Sequence, residues 1–145
     1  MCMGVEILEE IWTPGRYISV IYRKCQLYLD RVLAEYDLGR GLYLCLLEIA
    51  REEGIIQKTL SQRVVLDQAS VTRAIRKLEH QELVKRGKDS RDGRAQKLFL
   101  TKKGWNILDK VKVHLEEWDT MAIKNFTPDE KKLYIDLLKK MASNL

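Results

Sequence analysis

Apolar residues recur every three or four positions along most of this chain, the spacing of one face of an α-helix. Tyr17, Ile18, Ile21, Cys25, Tyr28, Leu29, Val32 and Tyr36 predict a long amphipathic helix over 16–36, interrupted by Gly39 and Gly41. The stretch from Leu42 to Ala50 is apolar on most of its circumference, so a buried helix is expected there, closed by Gly54. Leu60 and Val64 mark a short helix over 57–64, and Val65, Leu66 and Asp67 form a tight connection after it. The Asp67 carboxylate can accept from backbone amides two or three residues on, and its charge suits the N-terminus of the next helix. That helix, 68–82, carries Val71, Ala74, Ile75 and Leu78 on one side and Ala69, Arg73, Arg76, Lys77 and His80 on the other.

Beyond Leu83 the period shortens. Lys85, Arg86 and Lys88 precede the loop Asp89-Ser90-Arg91-Asp92-Gly93-Arg94, and Leu98 and Leu100 alternate after it, which predicts a two-stranded hairpin. Asp92-Gly93 is a turn signal because both residues tolerate positive φ. Thr101 can cap a long helix over 101–125, along which Trp105, Leu108, Val111, Leu115, Trp118 and Ala122 continue the helical spacing. Thr127-Pro128-Asp129-Glu130 has the form of a capping box with proline at the first helical position, and Leu133, Tyr134, Leu137, Leu138 and Met141 stripe a last helix to 142. The expected fold class is mainly α with a small β-hairpin wing, in a single domain over 1–145.

Charge adds a location. From Arg73 to Lys103 eleven basic residues face four acidic ones, a net +7; the whole chain carries +5, so the remainder is net −2. Such concentration is the electrostatic footprint of a polyanion-binding face, and is also compatible with a solvated surface. A short helix, a tight turn, a second helix with a cationic outward face and then a basic hairpin is the order of a winged helix-turn-helix. In that arrangement the first turns of the second helix, here Gln68, Ala69, Ser70, Thr72 and Arg73, point at base edges in the major groove. Arg76 and Lys77 lie further along, where phosphate contact is more natural, and Arg86, Lys88 and Arg91 add cations from the wing.

Other chemistry is poorly served. The three cysteines, Cys2, Cys25 and Cys45, are too scattered for a disulfide framework or a Cys-x-x-Cys clip, and fit a reducing, cytoplasmic setting. Cys25 and Cys45 fall on apolar stripes and are expected to pack rather than react. His80 and His114 have no ligand-like neighbours, so neither metal nor cofactor is expected. No apolar run is long enough to span a membrane, and no nucleophile-base grouping, carboxylate pair or phosphate loop points to an enzyme.

The segment Leu66-Asp67-Gln68-Ala69-Ser70-Val71-Thr72-Arg73-Ala74-Ile75-Arg76-Lys77-Leu78-Glu79 resembles the recognition helix of MarR-family regulators. Asp89-Ser90-Arg91-Asp92-Gly93-Arg94-Ala95, running into Leu98-Phe99-Leu100-Thr101-Lys102-Lys103-Gly104, resembles their wing and the helix start after it. Arg16-Tyr17-Ile18-Ser19 and Ile21-Tyr22-Arg23 are also similar to family members, so the likeness extends over roughly 16–142. It implies a homodimer, with dimerisation helices at 16–36 and 101–145 and a winged lobe at 42–100 reading double-stranded, pseudo-palindromic operator DNA. It implies that Arg94 enters the minor groove, whose negative potential attracts a guanidinium, and that Asp92 orients it besides forming the hairpin. It implies a repressor released by a small aromatic or phenolic effector, for which Tyr17, Tyr22 and Tyr43 are candidate contacts. Two positions depart from the family pattern: Glu82 stands where glycine is common, and Gly93 where a second arginine often stands. The alternative in another class is a winged helix used for protein-protein contacts, its basic wing only a solvated face.

Overall fold

Pro14, with φ preset and no amide to satisfy, starts the first helix of the computed structural model, which describes residues 13–39, 41–88 and 96–145. This helix, α1 (Pro14–Val32), begins two residues before the expected start and stops four before the expected end, a separate 3-10 turn (Ala34–Tyr36) completing the segment. Then follow α2 (Leu42–Arg51), β1 (Ile55–Ile56), α3 (Gln57–Val64), α4 (Gln68–His80), β2 (Val84–Lys88), β3 (Gln96–Leu100), α5 (Lys102–Ala122) and α6 (Pro128–Ser143).

The early stop of α1 has a packing cause. Leu33 and Leu38 are both fully buried, and a continuous helix would not turn both side chains into the same core. The chain reverses instead: the Leu38 amide donates to the Leu33 carbonyl at 3.2 Å and the Asp37 amide to that of Ala34 at 3.0 Å, with Asp37 left-handed at φ 53. This is the Schellman arrangement, usually built on glycine. It recurs at the end of α4, where Leu83 donates to Leu78 at 2.9 Å and Glu82 to Glu79 at 2.9 Å, with Glu82 at φ 60. A related stop ends α3, where Leu66 donates to Ser61 at 3.1 Å and Val65 sits at φ 54. In each case a non-glycine residue takes the left-handed position and a leucine follows it. The backbone at Glu82 is therefore the one glycine would favour, although the side chain is not.

The wing is larger than a hairpin. β3 is central in an antiparallel sheet of order β1-β3-β2, with Val84 opposite Leu100 and Lys88 opposite Gln96 on one side and Ile55 opposite Leu98 on the other. Two residues of β1 are too few to carry a period, so the third strand leaves no signal in the sequence; Gly54 at φ 88 admits it, its amide donating to the Leu98 carbonyl at 2.8 Å. The Asp89–Ala95 wing tip lies outside the described residues.

Leu46 and Ile49 of α2, Leu60 of α3, Val71, Ile75 and Leu78 of α4, Leu98 of β3 and Leu108 of α5 meet in one buried core. Cys45 belongs to it, and burial pushes its thiol up to about 11, which suits the expected packing role. α5 joins α1 through Tyr28, whose hydroxyl donates to Glu117 Oε2 at 3.0 Å while its ring lies 5.6 Å from that of Trp118. His114 Nδ1 shares the same carboxylate at 3.0 Å. The expected caps are in place: Thr101 accepts from the Gly104 amide, and Thr127 and Glu130 form the reciprocal box.

At Gly104 the backbone of α5 comes so near the end of α4 that a Cβ would lie 2.1 Å from the Leu83 carbonyl oxygen. Gly104→Ala is accordingly expected to cost about 1–3 kcal/mol or more, measured by chemical denaturation. Val65 is β-branched, left-handed and 86% exposed, so its strain is offset by little burial of its own. Val65→Gly should stabilise the fold by about 0.5–1 kcal/mol, read as a thermal midpoint raised by about 2–4 °C.

Candidate nucleic-acid interface

Two polar networks organise the helix-turn-helix. The inner one fills the angle between α3 and α4. Ser61, a buried polar residue, donates through Oγ to the Lys58 carbonyl at 2.8 Å and accepts from Gln68 Nε2 at 2.7 Å. Gln57 Nε2 donates to Thr72 Oγ1 at 2.6 Å, and that hydroxyl donates to the Gln68 carbonyl at 2.7 Å. Gln68 and Thr72, both expected at base edges, thus also fix α4 against α3. Gln57 and Ser61 were not singled out from the sequence, although their separation of four places them on one face of α3.

The outer network starts at the helix cap. Asp67 accepts from the Ser70 amide at 2.8 Å through Oδ1 and from the Ser70 hydroxyl at 2.6 Å through Oδ2, and Arg73 Nη2 donates to Ser70 Oγ at 2.8 Å. The Ser70 hydroxyl, then its amide, hold the Asp67 carboxyl below the ordinary carboxylate value. Arg73 is exposed and steadied over the first turns of α4, with Ala69 exposed beside it. Arg76 is exposed and has no hydrogen-bond or ion-pair partner among the described residues.

Three expected contacts divide differently. Arg86 on β2 donates from Nε to Glu79 Oε1 at 2.9 Å and from Nη1 to Gln96 Oε1 at 2.9 Å, so it ties the wing to α4. Lys77 Nζ lies 2.6 Å from Asp37 Oδ1, pointing its charge at the connection after α1. Lys88 is exposed at the end of β2, next to the wing tip. Arg91, Asp92 and Arg94 lie outside the described residues. Of the candidate effector residues, Tyr43 is buried in the core, where burial chiefly raises its hydroxyl, while Tyr17 and Tyr22 are exposed on α1. A cavity of about 460 Å³ lies beside α4, with Leu42, Leu66 and Ala74 as apolar wall and Arg73 and Lys77 as cationic wall.

A helix pair braced by buried polar contacts, presenting cations on its second helix beside a three-stranded wing, defines a winged helix-turn-helix transcriptional regulator. The sequence model of the MarR family matches residues 38–95. Over 130 residues the chain is 32% identical to the HTH-type transcriptional regulator YybA of Bacillus subtilis (strain 168), covering 90% of this chain and 87% of that protein. It is 30% identical over 132 residues to the HTH-type transcriptional regulator BilQ of Clostridioides difficile (strain CD3), covering 87% of each. A MarR transcriptional regulator from Methanosarcina mazei Go1 has the same fold with a TM-score of 0.84 at 32% identity, over 90% of this chain and 94% of that one. A MarR family regulator from Listeria monocytogenes, solved in complex with a 26mer DNA, superposes with a TM-score of 0.86 at 28% identity, over 92% and 89%. The chain belongs to the MarR family.

The cap at Asp67 has a pH signature. Because its folded carboxyl lies below the ordinary value, the stabilisation is complete above that value and is lost as pH falls through the folded one. Asp67→Asn keeps a cap without the charge. The wild-type thermal midpoint should therefore fall faster than that of Asp67→Asn as pH drops below about 4.

Proposed function

We propose that the protein binds pseudo-palindromic, double-stranded operator DNA as a homodimer and represses transcription in the cytoplasm until a small aromatic or phenolic effector favours another lobe spacing. The observation that carries this reading is the outward face of α4. Ala69, Arg73 and Arg76 stand on it without a covering element, on a helix whose opposite side is locked by Val71, Ile75 and Leu78. A major groove admits such a helix, with Arg73 near base edges and Arg76 near phosphate. The DNA complex of the Listeria relative supports this, since the same fold meets duplex DNA there. By its resemblance to the family, the wing sequence adds Arg91 and Arg94 as cations, Arg94 for the adjacent minor groove with Asp92 to orient it.

The dimer rests on what α6 leaves bare. None of its residues is buried within the chain, and Leu133 and Leu137 are 58% and 55% exposed. Ile18 and Ile21 on α1 and Val113 and Met121 on α5 are exposed as well. Apolar surface of that extent is normally covered, and a second copy pairing α1, α5 and α6 with their counterparts covers it with closed symmetry. The division is then 16–36 and 101–145 for pairing and 42–100 for the DNA-binding lobe. The cavity beside α4, with an apolar and a cationic wall, suits a small aromatic acid or phenol; Tyr17 and Tyr22 are exposed on α1 but do not line it. Such a molecule acts only if it prefers one lobe position over the other.

Two half-sites centred about 10–10.5 base pairs apart should bind with a log-log salt slope of roughly −5 to −9, from about six to ten phosphate contacts. Inserting about five base pairs between them turns one half-site to the far side of the duplex, and affinity should fall to the nonspecific level. Arg73→Ala should cost about 1–3 kcal/mol and relax preference at one base position. The measurement is an equilibrium titration of operator variants at two salt concentrations. Binding that ignores spacer length yet keeps its salt slope would leave only a nonspecific polyanion binder, and no binding at all would favour the protein-contact reading.

A further inference from the structure

One residue at the C-terminus of α4, Gln81, is hydrogen-bonded to both crossings between the lobe and the long helices. Gln81 Nε2 donates to the Asp37 carbonyl at 3.2 Å and to Asp37 Oδ2 at 3.1 Å. Asp37 is the left-handed residue that ends the segment after α1. Its other carboxylate oxygen takes Lys77 Nζ at 2.6 Å, from one helical turn earlier on the same face of α4. The Gln81 carbonyl, in turn, accepts from Lys103 Nζ at 2.9 Å, in the first turn of α5, and Lys103 Nζ lies 3.8 Å from Glu82 Oε2. The last turn of α4 is thus fastened to the outgoing α1 crossing through Asp37 and to the incoming α5 crossing through Lys103.

We infer that Gln81 and Asp37 form a clasp that sets the angle of the recognition helix against the dimerisation helices, and so the half-site spacing that the protein accepts. The inference rests on the dimeric operator binding proposed above. Neither residue needs to touch DNA; they are positioning residues that act through α4. The lever is long enough to matter. A helix of 13 residues is about 20 Å long, so a tilt of about 10° at its C-terminal end displaces its N-terminal end by about 3.4 Å, one base-pair rise. Val71, Ile75 and Leu78 hold α4 onto the core without direction, and the bonds of Gln68 and Thr72 orient it against α3 within the lobe, whereas the hydrogen bonds at Gln81 orient it against the α1 crossing.

The test uses the full chain and duplexes that the wild type selects from a randomised pool of about 30 base pairs, with the half-site spacing then shortened and lengthened by one base pair. The wild type is expected to lose about tenfold or more in affinity at either altered spacing. Gln81→Ala should narrow that difference to about threefold or less while its salt slope stays at the wild-type value, because no phosphate contact is removed. Gln81→Glu, which sets a second carboxylate against Asp37, should discriminate no better than Gln81→Ala. Asp37→Gly suits the left-handed backbone and opens the clasp from the other side, so it should relax spacing in the same way even if the Gln81 variants fold poorly. A wild-type spacing profile in folded Gln81→Ala and Asp37→Gly overturns the clasp and leaves the operator reading intact. A uniform loss of affinity at all spacings with a shallower salt slope overturns it too, since that is the mark of a lost phosphate contact. A wild type indifferent to spacing overturns the operator reading, and the clasp with it.

Discussion

At Leu83 the recognition helix, the wing and the long helix α5 are held by one residue. Its amide closes the end of α4 on Leu78 at 2.9 Å, and its buried side chain enters the core just before β2 begins. Its carbonyl accepts from the Thr101 amide at 3.0 Å, and only the missing side chain of Gly104 lets α5 start so close to it. The Thr101 hydroxyl adds a 2.6 Å bond to the neighbouring Glu82 carbonyl while capping α5. A shift at this joint moves α4, the sheet and α5 together, because packed interiors transmit displacement rather than absorb it. The wing and the recognition helix thus present one surface.

Helix endings elsewhere obey a related constraint. Asp37, Val65 and Glu82 adopt a conformation that glycine would adopt without strain, and each is followed by a leucine. Leu38 and Leu83 are buried, and their burial offsets the strain one residue before. Leu66 is only partly covered, so the turn between α3 and α4 relies more on polar contacts. Gln68 on Ser61 and Thr72 on Gln57 supply them.

Charge in the basic segment is divided between architecture and surface. Arg86 is drawn to Glu79 and Gln96, and Lys77 to Asp37, so both brace the lobe. Arg73 is steadied by Ser70 yet remains exposed, and Arg76 stands clear. A patch built this way has its geometry set before a polyanion arrives, which limits the ordering that binding requires. The same bonds make the position of α4 sensitive to its flanking crossings.

Periodicity determined the helices because each has one face against the core: Val71, Ile75 and Leu78 carry their burial in their spacing. Local capping chemistry determined the starts of α4, α5 and α6, since Asp67, Thr101 and Thr127 need only partners within three residues. The basic segment and the order of elements were enough to point to a winged helix-turn-helix. Tertiary structure alone decided the end of α1, where burial of Leu33 and Leu38 overrides a pattern that runs on to Tyr36. It also decided the strand at Ile55–Ile56, which exists only because β3 is beside it. For the candidate interface, sequence supplied residue types and the helix that carries them, but not which side chains pair within the lobe. Whether Gln68 reaches outward or back to Ser61, and whether Arg86 faces solvent or Glu79, depends on partners seven residues away in sequence. No local pattern encodes those pairings, because the angle between elements brings them together.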